Sequence, residues 1–318
     1  MKRSSHDSSL VQIGAPARTP HPRLPAWARK SVTHYEALHR LKAGLRQLNL
    51  HTVCESARCP NIHECFARGA ATFMILGNLC TRGCGFCSVP KGSPAKRDMR
   101  LDPSEPANVA RMAASMNLRY VVITSVNRDD LRDGGSAHFA ETVRHVRRTL
   151  PDARVEVLTP DFCGDLQAVA RVLDAAPHVF NHNIETVPRL YSRVRPQADY
   201  RQSLDVLDFA RRYRRDIPTK SGLMAGLGET EEEVHAVLRD LRAAGTAVAT
   251  IGQYLRPTRR NLPVAAYIEP RQFDAYRDYG LSIGFQMVFS GPLVRSSYMA
   301  DQVGEALPSR AHEPAVSS

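Results

Sequence analysis

The chain has 318 residues and is 43% hydrophobic, which is enough to bury one large core or a barrel with small additions. No run of about 18 apolar residues occurs, so the sequence excludes a membrane-spanning helix. The net charge of +11 favours an acidic partner, and because no recognition helix or RNA-binding motif accompanies the basic runs, we expect no nucleic-acid partner.

Residues 1–45 are predicted to form a basic, proline-rich arm that leads into a short helix from His34 to Leu48. The arm lacks the apolar core of a secretion signal, which predicts a cytoplasmic protein. Its serines and few acids would also suit an organelle transit peptide and a mitochondrial location, but its prolines would break the amphipathic helix that such a peptide needs. An arm that is flexible or wraps the surface is therefore the preferred interpretation.

Beyond the arm, apolar runs rich in strand formers alternate with segments of helical periodicity. The predicted strands are 71–76, 120–125, 154–158, 178–183, 219–224, 247–253 and 285–289. The predicted helices are 106–116, 136–149, 166–175, 203–214, 230–244 and 270–280. Ser104 is expected to cap the first of these helices, and Thr230 with Glu233 is expected to form a capping box at another.

This alternation implies a parallel sheet with right-handed crossovers and predicts an α/β protein built on a full or partial (β/α) barrel. A doubly wound open sheet is the alternative fold. In both folds the functional site lies at the carboxyl ends of the strands. We expect four parts, which are the arm at 1–45, a cysteine-bearing segment at 46–69, the barrel at 70–290, and a C-terminal segment with a flexible tail at 291–318.

Three cysteines directly follow the first predicted strand. Cys80, Cys84 and Cys87 have the spacing C-x3-C-x2-C, and three thiolates on a tight loop can hold three irons of a cubane cluster. The fourth iron is then open and can chelate the amino and carboxylate groups of S-adenosylmethionine (SAM), which an electron from the cluster would cleave to a 5′-deoxyadenosyl radical. A zinc knuckle is the alternative, but it normally uses four ligands in paired spacing.

A second triad precedes the barrel. Cys54, Cys59 and Cys65 have the spacing C-x4-C-x5-C and again offer only three thiolates. A second iron–sulfur cluster is the preferred interpretation, and a zinc site with His63 as fourth ligand stays open. The remaining cysteine, Cys163, stands alone and is expected to be a bystander.

Polar clusters that follow the predicted strands are the candidates for holding the rest of SAM. Any one of these residues is more often an ordinary turn or cap residue, but together at one end of a barrel they favour a cofactor site. The candidates are Ser125 and Asn127 after the second strand, Asn183 and Glu185 for the ribose, and Arg195 or Lys220 for the carboxylate.

These motifs resemble those of lipoyl synthases, a family of radical SAM enzymes, over roughly residues 33 to 301. Two glycines of the second cysteine motif, Gly83 and Gly85, replace larger residues of many relatives, and Cys163 also departs from the family, but no ligand is lost. The resemblance is carried by the segments 54–65, 71–77, 80–87, 122–131, 180–186, 217–224 and 291–298.

The resemblance implies a radical SAM barrel with two 4Fe-4S clusters, one of them an auxiliary cluster to which Ser297 adds a fourth ligand beside Cys54, Cys59 and Cys65. It implies insertion of two sulfur atoms at C6 and C8 of an octanoyl chain on a lysine of a lipoyl carrier domain, with the auxiliary cluster sacrificed as the sulfur source. The implied partners are an octanoylated carrier (a 2-oxoacid dehydrogenase E2 or a glycine cleavage H protein), a flavodoxin or ferredoxin, and an iron–sulfur cluster carrier.

Two other functions stay open. One is a different radical SAM sulfur-inserting enzyme, biotin-synthase-like or a methylthiotransferase, against which the Ser296-Ser297-Tyr298 tail and the spacing of the first triad argue. The other is a zinc-dependent nucleic-acid-binding protein, which would explain the charge and the cysteines but not the repeated β-α units.

Overall fold

A single eight-stranded sheet, with strands in the order β1 to β8, is the framework of the computed structural model, which describes residues 24–28, 42–57, 59–298, 300 and 302–303. The first pair, β1 with β2, is antiparallel, and each later neighbour pairs in parallel. The strands are β1 (His51–Thr52), β2 (Ala70–Ile75), β3 (Tyr120–Ser125), β4 (Arg154–Leu158), β5 (Val179–Asn181), β6 (Thr219–Ala225), β7 (Val248–Gln253) and β8 (Met287–Gly291).

Helices connect the parallel strands as predicted, and no helix in the described part of the chain is long and apolar enough to cross a membrane. Of the helix predicted at 34–48, the residues before 42 lie outside the described part. The helices are α1 (42–47), α2 (Val53–Ser56), α3 (Ile62–Ala67), α4 (Glu105–Ser115), α5 (Ser136–Thr149), α6 (Leu166–Asp174), α7 (Tyr191–Val194), α8 (Tyr200–Tyr213), α9 (Glu231–Ala243) and α10 (Pro270–Ser282).

The sequential strand order confirms the barrel and rules out the doubly wound alternative, in which the order reverses at a switch point. Strands β1 and β8 form the two edges, so among the described residues the barrel is partial. Every residue of β2 and β7 is buried, as expected when helices cover one face and the barrel interior fills the other.

The elements that the sequence did not predict are short. β1, α2, α3 and α7 each span at most six residues, too few to show a period of their own. Ser104 is the N-cap residue of α4 as predicted, but its hydroxyl donates to the Asp102 carboxylate and accepts no hydrogen bond from a backbone amide of the helix. The capping box of Thr230 and Glu233 at the start of α9 was confirmed.

A buried ion pair lies beneath the carboxyl ends of the strands, inside the barrel. The Lys220 ammonium is 3.1 Å from a Glu156 carboxylate oxygen, and both side chains are 0% exposed. The Tyr120 hydroxyl and the Asn181 amide also donate to this carboxylate. The predicted role of Lys220 beside the SAM carboxylate is therefore not supported, because its ammonium is already used in the core.

Lys220→Met is expected to lower the free energy of unfolding by about 3–5 kcal/mol, because it leaves the Glu156 carboxylate buried without its countercharge. The double variant Lys220→Met/Glu156→Leu should recover only part of this loss, because it removes the buried charge but also the acceptor of the Tyr120 hydroxyl and the Asn181 amide. The measurement is guanidinium unfolding followed by circular dichroism, with exposed Lys96→Met as control. A single variant as stable as the parent would contradict the expectation.

The C-terminal segment is anchored rather than wholly free. Ala300 and Val303 are 0% exposed. Ala300 packs with Ala70 and Tyr120, and Val303 packs with residues that include Val248. Since these partners lie at the amino ends of their strands, the described residues beyond Tyr298 help to fill that end of the barrel.

Candidate functional site

One cavity of about 460 Å³ reaches across the carboxyl ends of the strands and collects most of the predicted site residues. Both cysteine triads line it, although they are separated by the strand β2 in the sequence. His63, the alternative zinc ligand, is not among the lining residues, and no group of three His, Cys, Asp or Glu in the described ranges is arranged to hold a single metal ion. The predicted residues on its wall are Cys54, Cys59, Cys65, Cys80, Cys84, Cys87, Ser125, Asn127, Asn183, Glu185, Arg195 and Ser297.

The loop of the second triad is held by backbone contacts at both ends. The Cys80 amide donates to the Pro90 carbonyl, and the Thr81 amide donates to the Asn127 carbonyl at 3.0 Å. At the far end the Asn261 side-chain amide donates to the carbonyls of Gly85, at 3.2 Å, and Cys87, at 2.9 Å. These contacts therefore hold the backbone of the loop through groups other than the cysteine side chains.

Arg82, between the first two cysteines of this loop, points inward and is only 4% exposed at its side chain. Its guanidinium bonds to Asp129 and Asp161, each at 2.7 Å. Burial alone would raise the pKa of the Asp161 carboxyl, but the hydrogen bonds from Arg82 outweigh it and lower that pKa to about 2. The pair thus stays ionised and ties the loop to the segment after β4.

Cys163 belongs to this cluster and not to the cavity wall. Its thiol lies 3.4 Å from an Asp129 carboxylate oxygen and 3.4 Å from an Arg82 nitrogen. Burial and Asp129 raise the pKa of the Cys163 thiol. The prediction that Cys163 is a bystander stays a prediction, and its position beside Arg82 could not be read from the sequence.

Several cysteine thiols of the cavity wall are buried, so their thiolate forms would need a nearby positive charge. Burial raises the pKa of Cys54 to about 12, and the neighbouring Cys59 and Cys65 add to this shift. Burial also raises the pKa of Cys87 to about 11. Because burial favours the neutral thiol, bound metal is the natural source of the positive charge that would stabilise the thiolates.

Two contacts join the first triad to the C-terminal segment. The Asn61 side-chain amide donates to the Leu293 carbonyl at 2.6 Å, and the Tyr298 hydroxyl donates to Glu64 at 3.2 Å. Leu293 and Tyr298 lie near Ser297 in the chain, and Asn61 and Glu64 lie between Cys59 and Cys65 of the first triad. Ser297 and the triad consequently line the same part of the structure although they are more than 200 residues apart in the chain.

Gly252 in β7 makes the approach of the C-terminal segment possible. A Cβ atom at this position would collide with the carbonyl oxygen of Val294. That atom is backbone, so no rotation of a flexible side chain could relieve the clash. The absence of a side chain at Gly252 therefore lets residues 294–298 lie against β7 and bring Ser297 to the cavity.

Unpaired buried polar atoms mark one part of the cavity wall. Burying such an atom without a partner costs free energy, so a group of them indicates a polar ligand. Four belong to predicted residues, and Thr159 and His182 were missed, although His182 lies within a polar cluster that ends a predicted strand. The atoms are Ser125 Oγ, Asn127 Oδ1, Thr159 Oγ1, His182 Nε2, Asn183 Oδ1 and Arg195 Nε.

His182 presents an acceptor to this part of the wall. Its Nδ1 atom lies 2.9 Å from the Thr159 carbonyl oxygen, which can only accept, so Nδ1 carries the proton. Burial lowers the pKa of His182 to about 4, which keeps the ring neutral near pH 7. Its Nε2 lone pair is therefore available to a donor in the cavity.

Glu185 has an uncommon backbone conformation. Its φ of 67° lies in the left-handed region, which non-glycine residues adopt at a cost of about 1–3 kcal/mol. Hydrogen bonds with Gly222 and Met224 hold it there, and the Asn183 amide donates to its carboxylate at 3.1 Å. Burial raises the pKa of the Glu185 carboxyl, and Arg195 opposes this shift.

Comparison with protein families matches two parts of the chain. Residues 74–241 match the radical SAM superfamily, and residues 6–59 match the N-terminal domain of lipoyl synthase of the radical SAM family. The second match corrects the expectation that the resemblance begins near residue 33. The resemblance rests on the cysteine motifs and on segments at the strand ends, and the arm contains none of these.

Curated relatives match most of the chain. A lipoyl synthase of Rubrobacter xylanophilus is 54% identical over 281 residues, covering 88% of this chain and 86% of the relative. A lipoyl synthase of Thermus thermophilus is 52% identical over 298 residues, covering 92% of this chain and 91% of the relative. These matches favour that family over biotin-synthase-like enzymes, methylthiotransferases and zinc-dependent nucleic-acid-binding proteins.

Solved structures agree with the fold. Methylornithine synthase superposes with a TM-score of 0.52 at 15% identity, covering 81% of this chain and 79% of that one. The radical SAM enzyme coproporphyrinogen III oxidase from Escherichia coli gives a TM-score of 0.50 at 14% identity, covering 70% of this chain and 56% of that one. At such low identity these likenesses concern the barrel alone.

Proposed function

Because the chain belongs to the lipoyl synthase family of radical SAM enzymes, we propose that it inserts two sulfur atoms at C6 and C8 of an octanoyl chain on a lysine of a lipoyl carrier domain. The observation that carries this proposal is the convergence of both cysteine triads and Ser297 on one cavity. Two cluster sites on one wall suit a reaction that needs both a radical and a sulfur source.

The two triads have different proposed roles. Cys80, Cys84 and Cys87 would hold a 4Fe-4S cluster that binds SAM, and Cys54, Cys59, Cys65 and Ser297 would hold an auxiliary 4Fe-4S cluster. When bound, these groups supply one-electron cleavage of SAM to a radical able to attack an unactivated C–H bond, and sulfide for insertion. The Ser297 oxygen is a harder, poorer match for iron than a thiolate, so it is suited to release.

The cavity wall fits SAM by its donor set. Arg195 donates to the carbonyls of Asn183 and Ile184 and leaves its Nε hydrogen for a carboxylate, while Asn183 and His182 offer acceptors. Ser125, Asn127 and Thr159 add further polar atoms, and Glu185 would take the ribose. SAM brings hydroxyl, amino and carboxylate groups that match these atoms in kind.

The proposed partners follow from this chemistry. They are an octanoylated 2-oxoacid dehydrogenase E2 or glycine cleavage H protein, a flavodoxin or ferredoxin as reductant, and an iron–sulfur cluster carrier. The bacterial relatives support a cytoplasmic location and give no support to a mitochondrial one. The basic net charge of +11 suits acidic protein partners.

An anaerobic assay of the reconstituted protein tests the proposal. The mixture contains SAM, dithionite and an octanoyl-lysyl peptide, and both 5′-deoxyadenosine and the peptide mass are followed. We expect 5′-deoxyadenosine together with a peptide that gains two sulfur atoms. Formation of deoxyadenosine without a change in the peptide mass would contradict the proposed substrate. Absence of deoxyadenosine from iron-loaded protein would contradict the radical mechanism.

Gly252→Ala is expected to displace residues 294–298 and, with them, Ser297. Forcing a methyl group against the Val294 backbone costs about 1–3 kcal/mol, which residues 294–298 would relieve by moving away from β7. Sulfur insertion should then fall by about tenfold or more, since about 1.4 kcal/mol corresponds to a factor of ten, while deoxyadenosine formation persists.

Gly291→Ala is the matched control for Gly252→Ala. A Cβ at Gly291 would meet a Val294 side-chain carbon at 3.4 Å, which is an ordinary contact. It should keep both products near the parent level. Equal losses in the two variants would show that the close approach at Gly252 has no particular role.

A further inference from the structure

Four exposed cations lie on segments that contact the loop of the second triad, and we name them the basic rim. The rim consists of Lys91, Arg193, Arg259 and Arg260, all of them exposed. None of these side chains forms a hydrogen bond or ion pair within the described part of the chain. Since a free exposed cation gains little from its own protein, a cluster of four at one loop indicates a surface that meets negative charge from outside.

Contacts with the loop fix the place of the rim. Lys91 lies beside Gly83, since its Nζ would be 3.7 Å from a Cβ there. The Arg193 carbonyl would lie 3.2 Å from a Cβ at Gly85, which places α7 against the middle of the loop. Arg259 and Arg260 directly precede Asn261, the residue whose amide holds the carbonyls of Gly85 and Cys87.

The loop offers little side chain to solvent between these cations. Gly83 and Gly85 have none, and the Gly83 amide is bonded to the exposed Gln197 side chain at 2.5 Å. Arg82 points inward to Asp129 and Asp161, so it neutralises those acids instead of adding to the surface. A partner seated on the rim would therefore approach the backbone that carries Cys84 closely.

We propose that the basic rim docks a small acidic one-electron donor protein, of the low-potential flavin or iron–sulfur class, against the Cys80–Cys87 loop. This inference rests on the proposed function, because it needs a cluster held by that loop. Each docking event passes one electron, so the donor is oxidised by one electron and the cluster is reduced by one electron. One such transfer precedes each SAM cleavage.

The geometry favours the electron donor over the lipoyl carrier as occupant. The carrier must deliver an octanoyl chain into the cavity, whereas the donor needs only a short path to the outer side of the loop. Arg193, Arg259 and Arg260 do not line the cavity, and only Lys91 of the rim does. Three of the four rim residues therefore lie outside the wall that an octanoyl chain would have to cross, and a donor seated there would leave the cavity open to the carrier.

Charge reversal at the rim separates the two kinds of reductant. In Arg259→Glu/Arg260→Glu, the rate of deoxyadenosine formation driven by flavodoxin hydroquinone should fall by about tenfold or more at low salt. The dithionite-driven rate with an octanoyl-lysyl peptide should stay near the parent rate, because dithionite needs no docking surface. In the parent, added salt should slow only the flavodoxin-driven reaction.

The control carries the same charge change at the other end of the barrel. Arg119 and Arg215 are exposed and precede β3 and β6, so they lie at the amino ends of the strands. Arg119→Glu/Arg215→Glu should match the parent with both reductants. Arg259→Gln/Arg260→Gln serves as a milder second variant, and calorimetric titration with flavodoxin gives a binding constant that does not depend on turnover.

Each outcome decides the proposal. An unchanged flavodoxin affinity and rate in both rim variants would overturn it. A dithionite-driven loss with the octanoylated carrier domain, but not with the peptide, would assign the rim to the carrier instead. Failure of the parent protein to form deoxyadenosine with dithionite would overturn the proposed function itself, before any rim variant is compared.

Discussion

Cys84→Ala is expected to abolish both deoxyadenosine formation and sulfur insertion, whereas Cys65→Ala is expected to abolish sulfur insertion alone. Cys84 belongs to the loop proposed to hold the SAM-binding cluster, and losing an essential group of this kind lowers a rate by roughly a thousandfold or more. Cys65 belongs to the other triad, which is carried by α2, α3 and the segment between them. The radical half of the reaction should survive its loss.

Deoxyadenosine, peptide mass and iron content measured on one preparation give three independent readouts for this pair. Both variants should lose about half of the bound iron, as expected when one of two clusters is missing. Cys163→Ala is the matched control, since Cys163 lies outside the cavity and should leave all three readouts unchanged. Loss of deoxyadenosine in Cys65→Ala would mean that the two triads do not work separately.

The barrel could be predicted because its strands and longer helices carry strong periodic signals. β3 is apolar over Tyr120–Ile123, and α5 shows a clear amphipathic pattern, so both were located within a residue or two. The cysteine spacings were equally local. Neither prediction required knowledge of which distant segments meet.

The remainder of the site depends on tertiary contacts that no local pattern encodes. From the sequence alone, Ser297 looks like an ordinary turn residue. In the structure, the close approach at Gly252 and the hydrogen bond from Asn61 place its segment at the cavity. Lys220 was a candidate because of its charge, but it is the second residue of β6, at the amino end of the strand, and Glu156 on β4 holds it in the core. Such pairings are decided by side-chain direction across the barrel, which the sequence of one strand does not show.

The pairing of Arg82 with two acids shows the same limit. The sequence made no prediction for Arg82, whose guanidinium points inward and bonds to Asp129 and Asp161. Its inward position leaves the glycine-lined outer side of the loop free for a partner. Only the structure joins the cluster loop, the acids and the rim into one arrangement.

Ser297→Ala is expected to lower sulfur insertion by about 10- to 100-fold while leaving deoxyadenosine formation near the parent level, which is the usual loss when a group supporting a metal site is removed. The serine oxygen is proposed to complete the auxiliary cluster and then to release it, so its removal affects the sulfur source and not the radical. The readouts are the rate of peptide sulfuration and the yield of deoxyadenosine.

Ser296→Ala and Ser297→Cys make this prediction specific. Ser296 also lines the cavity, so Ser296→Ala removes an equal hydroxyl from the adjacent position and should insert sulfur normally. Ser297→Cys restores a ligand, but a thiolate holds iron more tightly, so we expect full iron content with slow sulfur release. If Ser296→Ala were the damaging change instead, Ser296 would be the fourth ligand. Its hydroxyl oxygen, and not that of Ser297, would then be the weak iron ligand that is released.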